Sequence, residues 1–371
     1  VVPTPSTMAI PKWLWSSYEY MSLLLCGIVI AFHDSNPVTR IRRRFFDKLP
    51  SAPEMRDQAL NETKIEENKQ KAAIVTGGNS GIGLETCYFL MKAGFQIVIG
   101  CRSAKAGEEA VAYLKTEAAS LGLPEPSVQV IPLDLSSQQS ISEFAKEVKQ
   151  RKLPVSLLVN NAGVMFVENW PTKEGYEVHF GVNHLGHFKL TLELLDVLAQ
   201  HGPARIVTVT SDTYTFGNFD LSKVRGAGFH RWYSYCDSKL MNLLAVRALH
   251  RHLQAAGLSD LIKIYAVHPG SVSTGITRGT HSIIGFLYSL TIVKVILNLL
   301  TARDGASGTV YTALSSQVAN QSGQYFATTY MEQVASSASH KEKQEDQLLQ
   351  FSEQATNTNL ESVIKTIKRS K

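Results

Sequence analysis

The sequence predicts an α/β protein, a single domain built on a doubly wound parallel sheet. Three observations carry that expectation. Six short Val/Ile/Leu-rich runs recur between residues 72 and 270, none strictly alternating in polarity, as befits strands buried on both faces. Amphipathic stretches such as GIGLETCYFLMKAG separate them, giving strand–helix repetition. The first run also passes directly into a glycine-rich turn, TGGNSGIG at 76–83, which opens a helix.

The runs are AAIVTG (72–77), FQIVIGC (95–101), VQVIPLDL (128–135), SLLVNNAG (156–163), ARIVTVTS (204–211) and IKIYAVHPG (262–270). Four regions are expected along the 371 residues: an N-terminal membrane anchor with a basic flank (1–48), a linker or solvated helix (49–70), the α/β domain (71–333), and a polar helix and tail (334–371). WLWSSYEYMSLLLCGIVIAF (13–32) approaches the roughly 20 apolar residues a bilayer span needs. Glu19 lies toward one end of it, and Trp13, Trp15 and Tyr18 suit an interfacial belt. RIRRR (40–44) follows, a charge run that favours anionic headgroups and the cytoplasmic side. A cleaved signal peptide would carry its charge before the apolar core, and a buried soluble helix is the plainer alternative. HSIIGFLYSLTIVKVILNLL (281–300) is also apolar but contains Lys294; it reads as a helical segment covering the substrate, with a second span as the rival.

The bulk properties exclude several classes. With 44% apolar and 19% charged residues the chain is not disordered. A net charge of +5, partly local to 40–44, argues for lipid headgroups over nucleic acid. The four cysteines lack the spacing of a zinc site or disulfide framework. His179, His184 and His187 come close together in VHFGVNHLGHF, yet no cysteine or carboxylate cluster completes a metal site, so no metal is expected. Oligomeric state is not legible.

The turn at 76–83 has the chemistry of a pyrophosphate cradle. Helix N-terminal N–H groups and the positive end of the dipole attract phosphate. Gly77 and Gly81 permit the tight turn and close approach, Asn79, Ser80 and Ile82 fill it, and Gly83 lets the helix pack on the strand. The second strand ends in GCRS. Where an NAD site places a carboxylate for the ribose 2′-hydroxyl, this chain has Cys101 and Arg102, and the guanidinium offers donors to a 2′-phosphate. NADP(H) is therefore expected over NAD(H).

YSYCDSKL at 233–240 sets Tyr235 four residues before Lys239, one turn apart on a helix. Alone, such a pair is commonplace. With T-G-x-x-x-G-x-G at 76–83, NNAG at 160–163 and the serine ending ARIVTVTS, in that order, it resembles a short-chain dehydrogenase/reductase. NHLGHF (183–188), YCDSKL, HPGSVST (268–274) and SGQYF (322–326) are similar to the retinol-dehydrogenase-like branch, which includes the reductase part of the WW-domain oxidoreductase.

The resemblance covers about 70–330 and implies a Rossmann-like fold and hydride chemistry at a lipophilic alcohol or carbonyl. Tyr235 becomes the general acid/base and Ser211, in preference to Thr210, the donor to the substrate oxygen. Lys239 lowers the phenol pKa and binds the nicotinamide ribose, and Asn183 holds a water in the proton relay. It also implies cofactor contacts from Asp134 and Leu135, from Asn161, Ala162 and Gly163, and from Pro269, Gly270 and Thr274. The segment between Ser211 and Tyr235 is longer than in compact relatives. With the anchor, the expected setting is the endoplasmic reticulum or another intracellular membrane, catalytic domain in the cytoplasm. A cofactor-bound scaffold without activity is the alternative on the same fold.

Overall fold

The computed structural model describes residues 51–272, 300–327 and 342–370. The expected anchor at 13–32, its basic flank, the apolar stretch 281–299 and Thr274 lie outside the described residues.

Seven parallel strands form one sheet in the order β3-β2-β1-β4-β5-β6-β7: β1 (Ala72–Thr76), β2 (Gln96–Cys101), β3 (Val128–Pro132), β4 (Val155–Asn160), β5 (Ala204–Val209), β6 (Ile262–His268) and β7 (Tyr325–Ala327). β1 and β4 are buried at every residue, the two-sided burial that their unbroken apolar runs foretell. Six of the strands are those read from the sequence. β7 was not: its three residues pair with β6 through Ala266 opposite Tyr325, a partner a local pattern cannot supply.

Helices cover both faces. One carries α1 (Ala52–Glu62), α3 (Gly81–Lys92), α4 (Ala104–Ser120) and α8 (Ala302–Leu314), with the four-residue α2 (Ile65–Asn68) between the first two in the chain. The other carries α5 (Gln138–Gln150), α6 (Gly186–Gln200), α7 (Arg231–Ala255), α9 (Glu342–Thr356) and α10 (Leu360–Arg369). Order reverses between β1 and β4, so the crevice beyond their carboxyl ends is where this topology receives ligands.

Two polar regions are more structured than composition indicates. The stretch expected as a linker or solvated helix includes α1, opened by a capping box between Ser51 and Glu54. α1 is packed down by buried Ala52 and Ala59, and Arg56 donates to Ser307 Oγ at 3.2 Å with its guanidinium 4.3 Å from the Phe89 ring centroid. The C-terminal region, expected as one helix and a tail, is two helices. α9 buries Leu348 and Leu349, and α10 buries Leu360, Ile364 and Ile367 along one face. Their apolar residues are few but regularly placed, which composition averages away.

Candidate active site

β1 ends at Thr76, and the chain turns through Gly77 at φ +64° and Gly81 at φ +56°, left-handed conformations that favour glycine. A Cβ on Gly83 would lie 2.4 Å from Gly77 O and 2.5 Å from Asn161 Nδ2, so only glycine lets α3 approach this closely. Asn161 and Ala162 N–H both donate to Thr76 Oγ1 at 2.9 Å, and Asn161 Nδ2 donates to Thr76 O at 2.8 Å. The loop after β4 is thereby fastened to the glycine turn.

These segments border a groove of about 440 Å³. Gly77, Asn79, Ser80, Gly81, Ile82, Gly83, Arg102, Asp134, Leu135, Asn161, Ala162 and Gly163 all line it. So do Gly100, Cys101 and Ser103 of the GCRS stretch, together with Leu133, Val164, Val167 and Val182, which were not singled out from the sequence. Ser80 caps α3 without a side-chain hydrogen bond, whereas Ser51, Ser103, Ser137 and Thr301 each accept from their own helices. The first N–H groups of α3 therefore stay available at the groove. Arg102 is exposed at the end of β2. Asp134 Oδ1 accepts from the N–H and hydroxyl of Ser136, which fixes the carboxylate's direction. Glycine cradle and open helix start together fit the pyrophosphate of a nicotinamide dinucleotide. Pro269 and Gly270, the latter at φ +80°, follow β6 and are not among the groove's lining residues.

Behind Gly163 lie two of the four remaining candidates, Asn183 and Lys239. A Cβ there would meet Asn183 Oδ1 at 3.3 Å and Lys239 Nζ at 3.8 Å. Tyr235 and Lys239 are both on α7, 5% and 3% exposed, with Nζ 5.5 Å from the Tyr235 ring centroid and donating to Val209 O at 3.0 Å. Of the two hydroxyls ending β5, Thr210 donates to Lys239 O at 2.8 Å, while that of Ser211 donates to Asp212 Oδ1 at 3.3 Å. Burial pushes the phenol pKa up; Cys236 and Asp212 add to this and Ser211 opposes it. Burial alone lowers Lys239 to about 8. The expected lowering of the phenol by the lysine is thus corrected here. Loss of hydration dominates, and the Lys239 ammonium is turned to the Val209 carbonyl.

Asn183 belongs to a π-helical turn, Phe180–Leu185, that leads into α6. Such turns displace a residue from regular helical register, frequently at functional sites. Asn183 Oδ1 accepts from Val164 N at 2.8 Å, and Nδ2 donates to Val164 O and Ser238 Oγ at 3.0 Å each. His187 Nδ1 meets Asn183 O at 3.0 Å, and its Nε2 meets Thr76 Oγ1 at 2.9 Å. Burial holds His187 at about 4, hence neutral, so Nδ1–H donates to the carbonyl and Nε2 accepts from threonine. His184 bonds Ser352 on α9 at 3.0 Å. His184 and His187, two of the three histidines weighed as metal ligands, are committed to hydrogen bonds, and no cluster of three metal-ligating residues occurs among the described residues. Thr76 and His187 were inside quoted motifs, yet only the packing shows them joining β1, the β4 loop and Asn183.

Fold, groove and constellation place the chain in a known class: it belongs to the short-chain dehydrogenase family, whose model (short chain dehydrogenase) matches residues 71–282, within the retinol-dehydrogenase-like branch. It is 35% identical to human Retinol dehydrogenase 14, covering 69% of this chain and 77% of the relative, and 36% identical to mouse Retinol dehydrogenase 11 over the same shares. Among solved structures, an uncharacterised protein from Mycobacterium paratuberculosis superposes with a TM-score of 0.61 at 28% identity, covering 78% of this chain and 94% of that one. The chain is an oxidoreductase of this family acting on alcohols.

Proposed function

We propose that the protein is a membrane-associated, NADP(H)-dependent oxidoreductase that interconverts a lipophilic alcohol and its carbonyl, of retinoid, steroid or isoprenoid type. The observation carrying this reading is the buried pair of Tyr235 and Lys239 on α7, with the Lys239 ammonium and Asn183 behind Gly163 of the glycine-cradled groove. A bound nicotinamide would supply or accept the hydride. Tyr235 donates its phenolic proton to the carbonyl oxygen in reduction and takes one from the alcohol in oxidation. Ser211 donates a hydrogen bond to the same oxygen, stabilising charge as it develops. Lys239, titrating near neutrality, holds the ribose and returns a proton toward the phenol, with Asn183 anchoring the relay. Burial keeps the phenol protonated, the form from which it gives its proton to a carbonyl oxygen.

Arg102 supports the choice of NADP(H), because no carboxylate among the groove's lining residues stands beside it at the end of β2. Membrane attachment rests on the chain's own 13–32 stretch and the arginines of 40–44. The same features support an intracellular membrane with the catalytic domain on its cytoplasmic side. Glycosylation at Asn61 or Asn320, each within an N-x-S/T sequon, would reverse that orientation.

The test is NADPH-dependent reduction of all-trans-retinal and a panel of lipophilic carbonyls by detergent-solubilised protein, with Tyr235→Phe beside it. Turnover by wild type and its loss of at least about a hundredfold in the variant are expected, the low end for general acid catalysis. NADPH binding without turnover of any carbonyl would assign the scaffold role instead.

A further inference from the structure

We infer that Glu177 and His179 are a positioning pair that braces the Tyr235 ring and starts the turn carrying Asn183, an inference that rests on Tyr235 being the proton donor. Both are deeply buried: His179 is 0% exposed and Glu177 4%. Glu177 Oε1 accepts from His179 N at 2.8 Å and lies 2.6 Å from His179 Nδ1. Oε2 accepts from Phe180 N at 2.9 Å. One carboxylate thus satisfies two of the backbone N–H groups that open the π turn, three and four residues before Asn183. The Glu177 N–H donates to Val224 O at 2.8 Å, which ties the pair to the long segment ahead of α7.

The imidazole held in this way faces the phenol. Its ring stands edge-on to Tyr235, centroids 6.2 Å apart at 75°, and its other neighbour, Phe229, stacks at 5.9 Å and 22°. A carboxylate therefore fixes His179, and His179 limits where the Tyr235 ring can swing. A second observation points the same way. His179 Nε2 is buried without a hydrogen-bond partner, a deficit phenylalanine would avoid. The histidine is explained by its tether at Nδ1 and not by filling space.

The test compares wild type with His179→Phe and Glu177→Gln. His179→Phe keeps the ring and removes both the tether and the orphan nitrogen, two changes that oppose each other in stability. Its melting temperature is expected to stay near that of wild type. With all-trans-retinal and NADPH, kcat should fall about tenfold in both variants while KM for either substrate holds, since small misplacement of a reacting group affects the chemical step first. The direct readout uses 3-fluorotyrosine, with the Tyr235 resonance assigned through Tyr235→Phe. One narrow fluorine signal is expected in wild type, and a displaced or broadened one in each variant. An unchanged signal, or a kcat loss that merely follows a lowered melting temperature, overturns the assignment. If Tyr235→Phe retains full turnover, the catalytic reading fails instead, and the fluorine signal still decides whether the pair holds the ring.

Discussion

Replacing Gly83 by alanine tests whether the groove's geometry depends on close helix–strand approach. The added Cβ would lie 2.4 Å from Gly77 O and 2.5 Å from Asn161 Nδ2, where ordinary contact begins at 3.4 Å. Neither atom can yield easily. Gly77 is held in its left-handed turn, and Asn161 Nδ2 is bonded to Thr76 O. The start of α3 must then retreat by roughly 1 Å, an overpacking expense of about 1–3 kcal/mol. The same retreat lengthens the hydrogen bonds its N–H groups would make to phosphate. Losing one charge-assisted bond, at about 1.5–3 kcal/mol, weakens binding about 10- to 150-fold. Titration calorimetry with NADPH should show a Kd at least about tenfold weaker. Gly122→Ala is the control: Gly122 also has positive φ (+66°), but its Cβ meets nothing within 4 Å. It should lose about 1–2 kcal/mol of stability to backbone strain and no affinity. Wild-type affinity in Gly83→Ala would refute the reasoning.

Three further outcomes are expected. Arg102→Ala should raise KM for NADPH about 10- to 100-fold and leave KM for NADH nearly unchanged, as one or two phosphate contacts are lost. With Lys239 at about 8, kcat/KM for carbonyl reduction should decline as pH rises through about 8, where the ammonium loses its charge. The sign for stability is opposite. A lysine depressed below its free value of 10.5 penalises the folded state fully below pH 8, and that penalty is relieved between about 8 and 10.5, so Lys239's share of stability rises over that window. Ending the chain at residue 341 removes five buried apolar side chains of α9 and α10, namely Leu348, Leu349, Leu360, Ile364 and Ile367. At about 1.5–3 kcal/mol each this rivals the whole stability of a domain, so the truncated protein should be insoluble, as sedimentation of lysates would show.

The sheet was legible because a strand buried on both faces must be apolar throughout. Six such runs stand out in the chain without any knowledge of their partners. The cofactor groove was legible for a related reason. A phosphate cradle requires glycine where a Cβ would collide, and Gly77, Gly81 and Gly83 are contiguous with β1. The spacing of Tyr235 and Lys239 likewise follows from one helix, whose period is fixed by the backbone. Linear pattern determined these features because each depends on neighbours in the chain.

What tertiary structure decided involves partners distant in sequence. β7 exists as a strand only beside β6, and α1 and α10 are held by contacts their polar composition conceals. Packing also separated Thr210 from Ser211, sending one hydroxyl to a backbone carbonyl and the other to the Asp212 carboxylate. It set the two central pKa values against the expected direction for tyrosine, because hydration is lost when a side chain is enclosed and no residue letter records enclosure.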